Sequence, residues 1–337
     1  MNSISQACSE LLAEARRYAP LYGNRLANHL PMALVALDRL GADAATMRAF
    51  ATRYAQRLLP AQQAFAVLDP HDYLGSSGDY PRFVRFFEER IRESGTEAVL
   101  ADWVPVLVPG LAASAFHAMI RLAYAIEAGT AGEVAQALAY WASEYVTLPF
   151  SLDPAEGTLD DIAARLRAQV DGHVFKPGII IDKMQEIAWH PALAGVAVQP
   201  EVAPGLRDIA QFGLAAYCRQ EDFTLLHVVT GCHAFRLLQP YVHDAALARR
   251  YLWQAVASAW LTVPQAQCEP ARECMPGGGT AGELALMATK ASDDHAIKLC
   301  YSALCEYREY GDPRYLQAAW RKLARTGVPA RSTDAAC

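Results

Sequence analysis

A chain of 337 residues, 53% hydrophobic and 20% charged, is long enough to bury a large core and too apolar to remain disordered. Its formal charge of -6, with no dense basic run, argues against a nucleic-acid or acidic-membrane binder. No apolar run is long enough to cross a bilayer, and eight cysteines without a CxxC pair, behind an N-terminus with no secretory pattern, point to reduced thiols in a cytoplasmic protein.

The spacing of apolar residues predicts a first helix over 4–18, with Ala7, Leu11, Leu12 and Ala15 on one side, broken by Pro20 and Gly23. A second covers 24–40. Asn28 is its candidate cap, His29 sits at the opening turn, Pro31 is tolerated near a helix start, and Gly41 ends it. Residues 43–58 give another helix. A loop with Pro60, Pro70 and 75–78 precedes an aromatic-rich helix through Phe83, Phe86 and Phe87 to Ile91, and Pro105 and Pro109 frame a second connection. A mostly apolar helix is predicted over 111–128, closed by Gly129, and another over 132–145 with Leu138, Trp141 and Tyr145 as core candidates. Residues 147–200 are less regular, with an acidic helix over 158–169 and a short strand or loop over 176–182; they are the expected lid or insertion.

Helices resume over 204–218, 223–238 and 244–260. A loop over 264–279 then leads to helices at 281–289, 291–306 and 313–325, the one at 291–306 starting at Ser292. There is no alternation of strands with helices and no clear repeat. The pattern predicts an all-α, bundle-like multi-helix fold, as a single domain over 1–327 with one less regular insertion and a flexible tail over 328–337.

Nine histidines are present. His71, His173, His190 and His243 lie in loop-like contexts and read as surface or turn residues. His29, His117, His227, His233 and His295 lie within, or open, strongly apolar helices, where an imidazole without a partner is unfavourable. Bundles build metal sites from side chains on facing helices, and imidazole-rich sites suit zinc, copper, iron or nickel. The competing reading is a set of satisfied core histidines. Lys298, three residues after His295, is either a lysine whose stem covers the core or a functional amine: a low-pKa base, a Schiff-base former, or a lysine carboxylated by CO2 that can ligate a metal. The run 277–282 lacks the context of a P-loop or a dinucleotide fingerprint, and no GxSxG or HExxH motif is present. Trp103, Trp141, Trp253 and Trp260 are candidates for an aromatic pocket or for core packing.

Four stretches together resemble the questin oxidase-like family: Tyr22-Gly23-Asn24 with Asn28-His29-Leu30-Pro31-Met32-Ala33-Leu34, then Phe116-His117-Ala118-Met119-Ile120-Arg121-Leu122, then the run from His227 to Arg236, and His295-Ala296-Ile297-Lys298. The resemblance spans about residues 20 to 308. It implies Baeyer–Villiger-like oxidative ring opening of aromatic polyketides, a possible link to NADPH, and, from one ring-cleaving relative, a non-haem iron held by four histidines and a carboxylated lysine. His29, His117, His295 and Lys298 match those positions. The fourth ligand is His227 or His233, which cannot both face one ion because six residues on a helix rotate by about 240°. His227 is the choice, with His233 behind it.

The resemblance thus implies Fe(II), or another divalent transition metal, on His29, His117, His227, His295 and CO2-modified Lys298. Arg121 and His233 are the catalytic candidates, Arg121 steadying an anionic substrate oxygen, and Asp294 would orient the ligand imidazoles. The expected partners are a small aromatic substrate and O2, with neither nucleic acid nor membrane and no sign of an oligomeric state. The alternatives are an NADPH- or flavin-linked Baeyer–Villiger monooxygenase, for which no nucleotide fingerprint is visible, and a non-catalytic all-α binding protein.

Overall fold

A computed structural model describes residues 3–64, 66–264 and 280–327. The tail over 328–337, and the glycine run over 277–279 with most of its predicted loop, lie outside the described residues. The fold is all-α, with fifteen α-helices and two small two-stranded sheets among the described residues.

Helix α1 (Gln6–Ala15) starts at Ser5, whose side chain accepts from the Cys8 N–H. The next helix is shorter than predicted because residues 21–27 form a hairpin: β1 (Leu21–Tyr22) pairs antiparallel with β2 (Leu26–Ala27). Helix α2 (Leu30–Arg39) then opens at His29, which takes the cap position expected for Asn28 without a side-chain cap bond; Asn28, one residue earlier, accepts from the Leu30 N–H at 3.0 Å. Helix α3 (Ala44–Ala55) is capped by Asp43, and α4 (Tyr80–Ser94) is the aromatic helix. Helix α5 (Thr96–Leu107) was not predicted: it runs through Pro105, whose missing N–H leaves the Ala101 carbonyl without its usual helical donor, and it ends two residues later. The helix predicted over 111–128 begins only at residue 117, as α6 (His117–Ala128), and α7 (Ala131–Ser143) packs back on it.

The irregular region contains β3 (Ser151–Ala155), α8 (Leu159–Gln169), α9 (Ile180–Ala188) and β4 (Ala197–Pro200), with β3 and β4 paired in parallel. Helix α9 replaces the strand or loop predicted at its start. Asp182 closes its first turn by accepting from the Ile179 N–H, and Ile181, Met184, Ile187 and Ala188 form its buried face. Helices α10 (Leu206–Gln220), α11 (Phe223–Leu238), α12 (Ala245–Leu261), α13 (Ala281–Thr289), α14 (Asp294–Tyr310) and α15 (Arg314–Ala324) complete the chain. Helix α14 starts at Asp293 and not at Ser292, since the Asp293 carboxylate accepts from the His295 and Ala296 N–H groups.

Helices α2, α6, α11 and α14 form the centre, packing in a closed ring of α2 on α6, α6 on α11, α11 on α14, and α14 on α2. α4 and α7, α10, and α13 with α15 cover this ring. Two of the central helices are therefore buried on every side over most of their length: each residue of α2 from Leu30 to Leu37 is buried, as is each residue of α11 from Leu225 to Phe235. All four begin at the same end of the ring, where their first turns bring His29, His117, His227 and His295 together. No helix among the described residues is long and apolar enough to cross a membrane.

Candidate metal centre

His117 reaches this end of the ring through an unusual piece of backbone. Ser114, Ala115 and Phe116 have φ values of 47°, 54° and 71°, three successive non-glycine residues in the left-handed region. Each such residue costs about 1–2 kcal/mol, so the packing around the turn must hold it. Phe116 is fully buried and lies against Gly231, where an added Cβ would come within 3.1 Å of the Phe116 ring. The small residue lets α11 approach the turn, and the turn ends on His117 as the first residue of α6.

The four imidazoles form a closed set. Ring centroids are 4.6 Å apart for His29 and His117, 4.5 Å for His117 and His227, 5.3 Å for His227 and His295, and 4.6 Å for His295 and His29. Candidate ligand atoms of His29, His117 and His295 all lie within 4.8 Å of one another.

Their hydrogen bonds fix the tautomers. The Nδ1–H of His227 donates to the Phe223 carbonyl at 2.8 Å, and that of His117 donates to the Ser114 carbonyl. A carbonyl can only accept, so Nδ1 carries the proton and Nε2 keeps its lone pair. Asp294 serves the other two: its Oδ2 accepts from Nδ1 of His29 and lies 3.2 Å from Nδ1 of His295. All four Nε2 atoms are buried without a hydrogen-bond partner among the described residues. Burial pushes the imidazole pKa values down, well below the ordinary range for His29, His117 and His227, and neighbouring positive groups add to the effect. The cluster therefore presents neutral nitrogen donors. Burial opposes the charge on Asp294, but His29, His295 and Lys298 around it hold its carboxyl well below the usual range and keep it anionic.

Lys298 lies one turn beyond Asp294 on α14 and is 2% exposed. Burial lowers its pKa to about 8, against the opposing pull of Asp294 and Asp293, and its charge is felt at all four imidazoles. A cavity of about 460 Å³ opens onto the cluster, lined by His29, His117 and His295 at its base. Tyr22, Arg25 and Leu26 of the hairpin form one wall, residues 178–181 and Lys183 at the start of α9 form another, and Phe223 and Thr224 open α11 beside them. The irregular region thus contributes directly to the cavity.

Two predicted site residues lie elsewhere. His233, on the other side of α11 from His227, is fully buried and bonded through Nδ1 to Glu306 at 2.7 Å, a carboxylate shared with Arg236. Arg121 was expected to steady a substrate oxygen. Its guanidinium instead pairs with Glu133 at 2.7 and 3.2 Å, both side chains are almost wholly buried, and it does not line the cavity. The four tryptophans pack in the core or against neighbouring elements and none lines the cavity: the Trp141 and Trp253 N–H groups donate to the Gly110 and Val198 carbonyls, Trp103 packs on Phe86 and Phe87, and Trp260 lies beneath Arg167.

Sequence reasoning missed the left-handed turn, because 112–115, Ala-Ala-Ser-Ala, has the composition of a helix. It also missed the hairpin and α9 as cavity walls, whose only local signal was the Gly23-Asn24 turn.

The family model described as Questin oxidase-like matches residues 26–303, which indicates oxidoreductase chemistry of the oxygenase kind. Comparison with curated proteins gives no match.

Proposed function

The chain belongs to the questin oxidase-like family, and from that premise we propose that it is a non-haem iron-dependent oxygenase acting with ring cleavage on an aromatic or quinone-type substrate. The observation that carries the reading is a cluster of four histidines whose buried Nε2 lone pairs have no partner among the described residues. Unsatisfied buried acceptors are unfavourable by about 1–3 kcal/mol each; candidate ligand atoms of His29, His117 and His295 lie within 4.8 Å of one another, with the His227 ring beside that of His117, an arrangement that suits a cation. Neutral imidazole is the commonest protein ligand for such metals, and each ring is already oriented through its other nitrogen, as metal-binding histidines are.

His29, His117, His227 and His295 would hold the ion, with Lys298 as a fifth donor once carboxylated. Bound there, iron(II) would supply the electron that makes ground-state O2 reactive toward an aromatic ring. Lys298 is suited to its part because burial lowers its pKa to about 8, which leaves roughly a tenth of the amine neutral and nucleophilic at pH 7, far more than an ordinary lysine offers. The neutral nitrogen attacks the carbon of CO2, an N–C bond forms, and one proton leaves, turning a cation-forming group into an anion with two oxygens. Asp294 holds the tautomer of His29, and Asp293 and Asp294 both approach Nδ1 of His295. Ile179, Ile180 and Phe223 give the cavity apolar walls that exclude water and accept a flat ring.

The test is anaerobic reconstitution with Fe(II), followed by metal analysis and by oxygen uptake with a hydroxylated anthraquinone. Stoichiometric iron is expected, with its loss in the double variant His117→Ala, His295→Ala. Protein that takes up no transition metal, or a double variant with wild-type iron content, refutes the reading.

A further inference from the structure

The charges around the cavity are one-sided. Arg25 and Lys183 line it, and no carboxylate does. Arg25 is neutralised by an ion pair with Asp182, but Lys183 forms no ion pair among the described residues. Five helices also begin at its wall, since α2, α6, α9, α11 and α14 contribute His29, His117, Ile180, Phe223 and His295 from their first residues or caps. The start of a helix carries a partial positive charge and favours anions. Asp182, Asp222 and Asp293 answer three of these first turns as caps, but none of them lines the cavity. At the base, the unpartnered Nε2 atoms of His29 and His117, residues 5% and 8% exposed, show that the cavity ends on a place built for a ligand, the cation of the metal reading, and not on a plain gap in packing.

We propose that the cavity selects an organic anion, an aromatic ring bearing a carboxylate or an ionised enol, and that Lys183 is the residue that determines this selectivity. The flat apolar body lies between the isoleucines of the α9 start and Phe223, while the negative group meets the Lys183 ammonium at the wall. A neutral molecule of the same shape gains the apolar contacts and forgoes the charge. The proposal takes the aromatic body from the oxygenase reading, but the charge preference is a property of binding and needs no turnover.

Isothermal calorimetry tests it with two matched pairs at neutral pH: 2-naphthoate against 2-naphthamide, and 2-hydroxy-1,4-naphthoquinone, ionised under these conditions, against its methyl ether. The anion of at least one pair is expected to bind about ten-fold tighter than its neutral partner, the scale of one partly screened charge contact. Which pair shows the preference distinguishes a carboxylate ligand from an enolate. Lys183→Gln should abolish the preference while leaving the neutral probes unchanged, and Lys183→Arg should keep it. Equal binding within both pairs, no binding by either anion, or a preference that survives in Lys183→Gln overturns the proposal. Iron content measured on the same preparations keeps a failure of the metal reading separate from a failure of this one.

Discussion

Replacing Asp294 by asparagine separates a metal-orienting carboxylate from an ordinary buried one. Asp294 is 6% exposed and its Oδ2 serves the Nδ1 groups of two imidazoles, those of His29 and His295. Asparagine preserves the shape and can set its carbonyl oxygen where Oδ2 stands, but that oxygen is neutral and a weaker acceptor than a carboxylate oxygen facing two Nδ1–H groups. Both imidazoles are then held less firmly, and their Nε2 atoms are less well oriented toward the cluster. Loss of such a supporting partner weakens metal affinity by roughly 10- to 100-fold, or about 1.4–2.8 kcal/mol.

Competition between the protein and a chelator for Fe(II) under anaerobic conditions reads this directly. Glu306→Gln is the control, because Glu306 is equally buried on the same helix, accepts from His233 and Arg236, and has no contact with the cluster. It should lower thermal stability and leave iron affinity near wild type. Wild-type affinity in Asp294→Asn, or an equal loss in Glu306→Gln, refutes the account.

Ala115→Gly relieves a left-handed alanine at φ 54° and should stabilise the protein by up to about 1 kcal/mol, seen as a higher Tm with iron content retained; an unchanged or lower Tm means the turn is not strained. Lys298→Ala should lower iron retention and remove any stimulation of activity by added bicarbonate, whereas the wild type responds to it; a bicarbonate effect that persists in the variant dismisses the carbamate. Glu133→Ala leaves the Arg121 guanidinium buried without its partner and should destabilise by about 3–5 kcal/mol in chemical denaturation. In the protein that still folds, iron affinity should be preserved, and a selective loss of iron with little change in stability would return Arg121 to the site.

The helical character of the chain was legible because its apolar periodicity is strong, and α11 and α13 begin and end at the predicted residues. Failures occurred where local composition and tertiary demand disagree. Residues 111–116 favour a helix, yet the chain leaves it so that His117 can open α6 at the cluster. Three successive isoleucines looked extended at 179–181, but the Asp182 cap and the spacing that continues to Ile187 make them the start of α9. Helical rotation showed that His227 and His233 do not face one ion together, and the two side chains do face different neighbours, His117 and Glu306, but which of the two joins the cluster was not readable from rotation. The fate of Arg121 was not readable, because Glu133 meets it only after α7 folds back on α6. A lone arginine in an apolar helix carries no sign of which element will answer it.

Helix direction explains why the histidines, the lysine and the cavity occur together. A site placed midway along four helices would meet backbone groups that already bond one another. At the starts of the helices the chain has free N–H groups, caps and turns, so each imidazole can be held through Nδ1 by a nearby carbonyl or carboxylate. The same location gathers positive helix ends, which, together with burial, work against a lysine cation at Lys298 and in favour of any anion there, a carbamate on that lysine included. One geometric decision, starting the central helices at a common end, thus orients the donors, depresses the proton affinity of the amine, and leaves beside them an opening suited to a negatively charged ring.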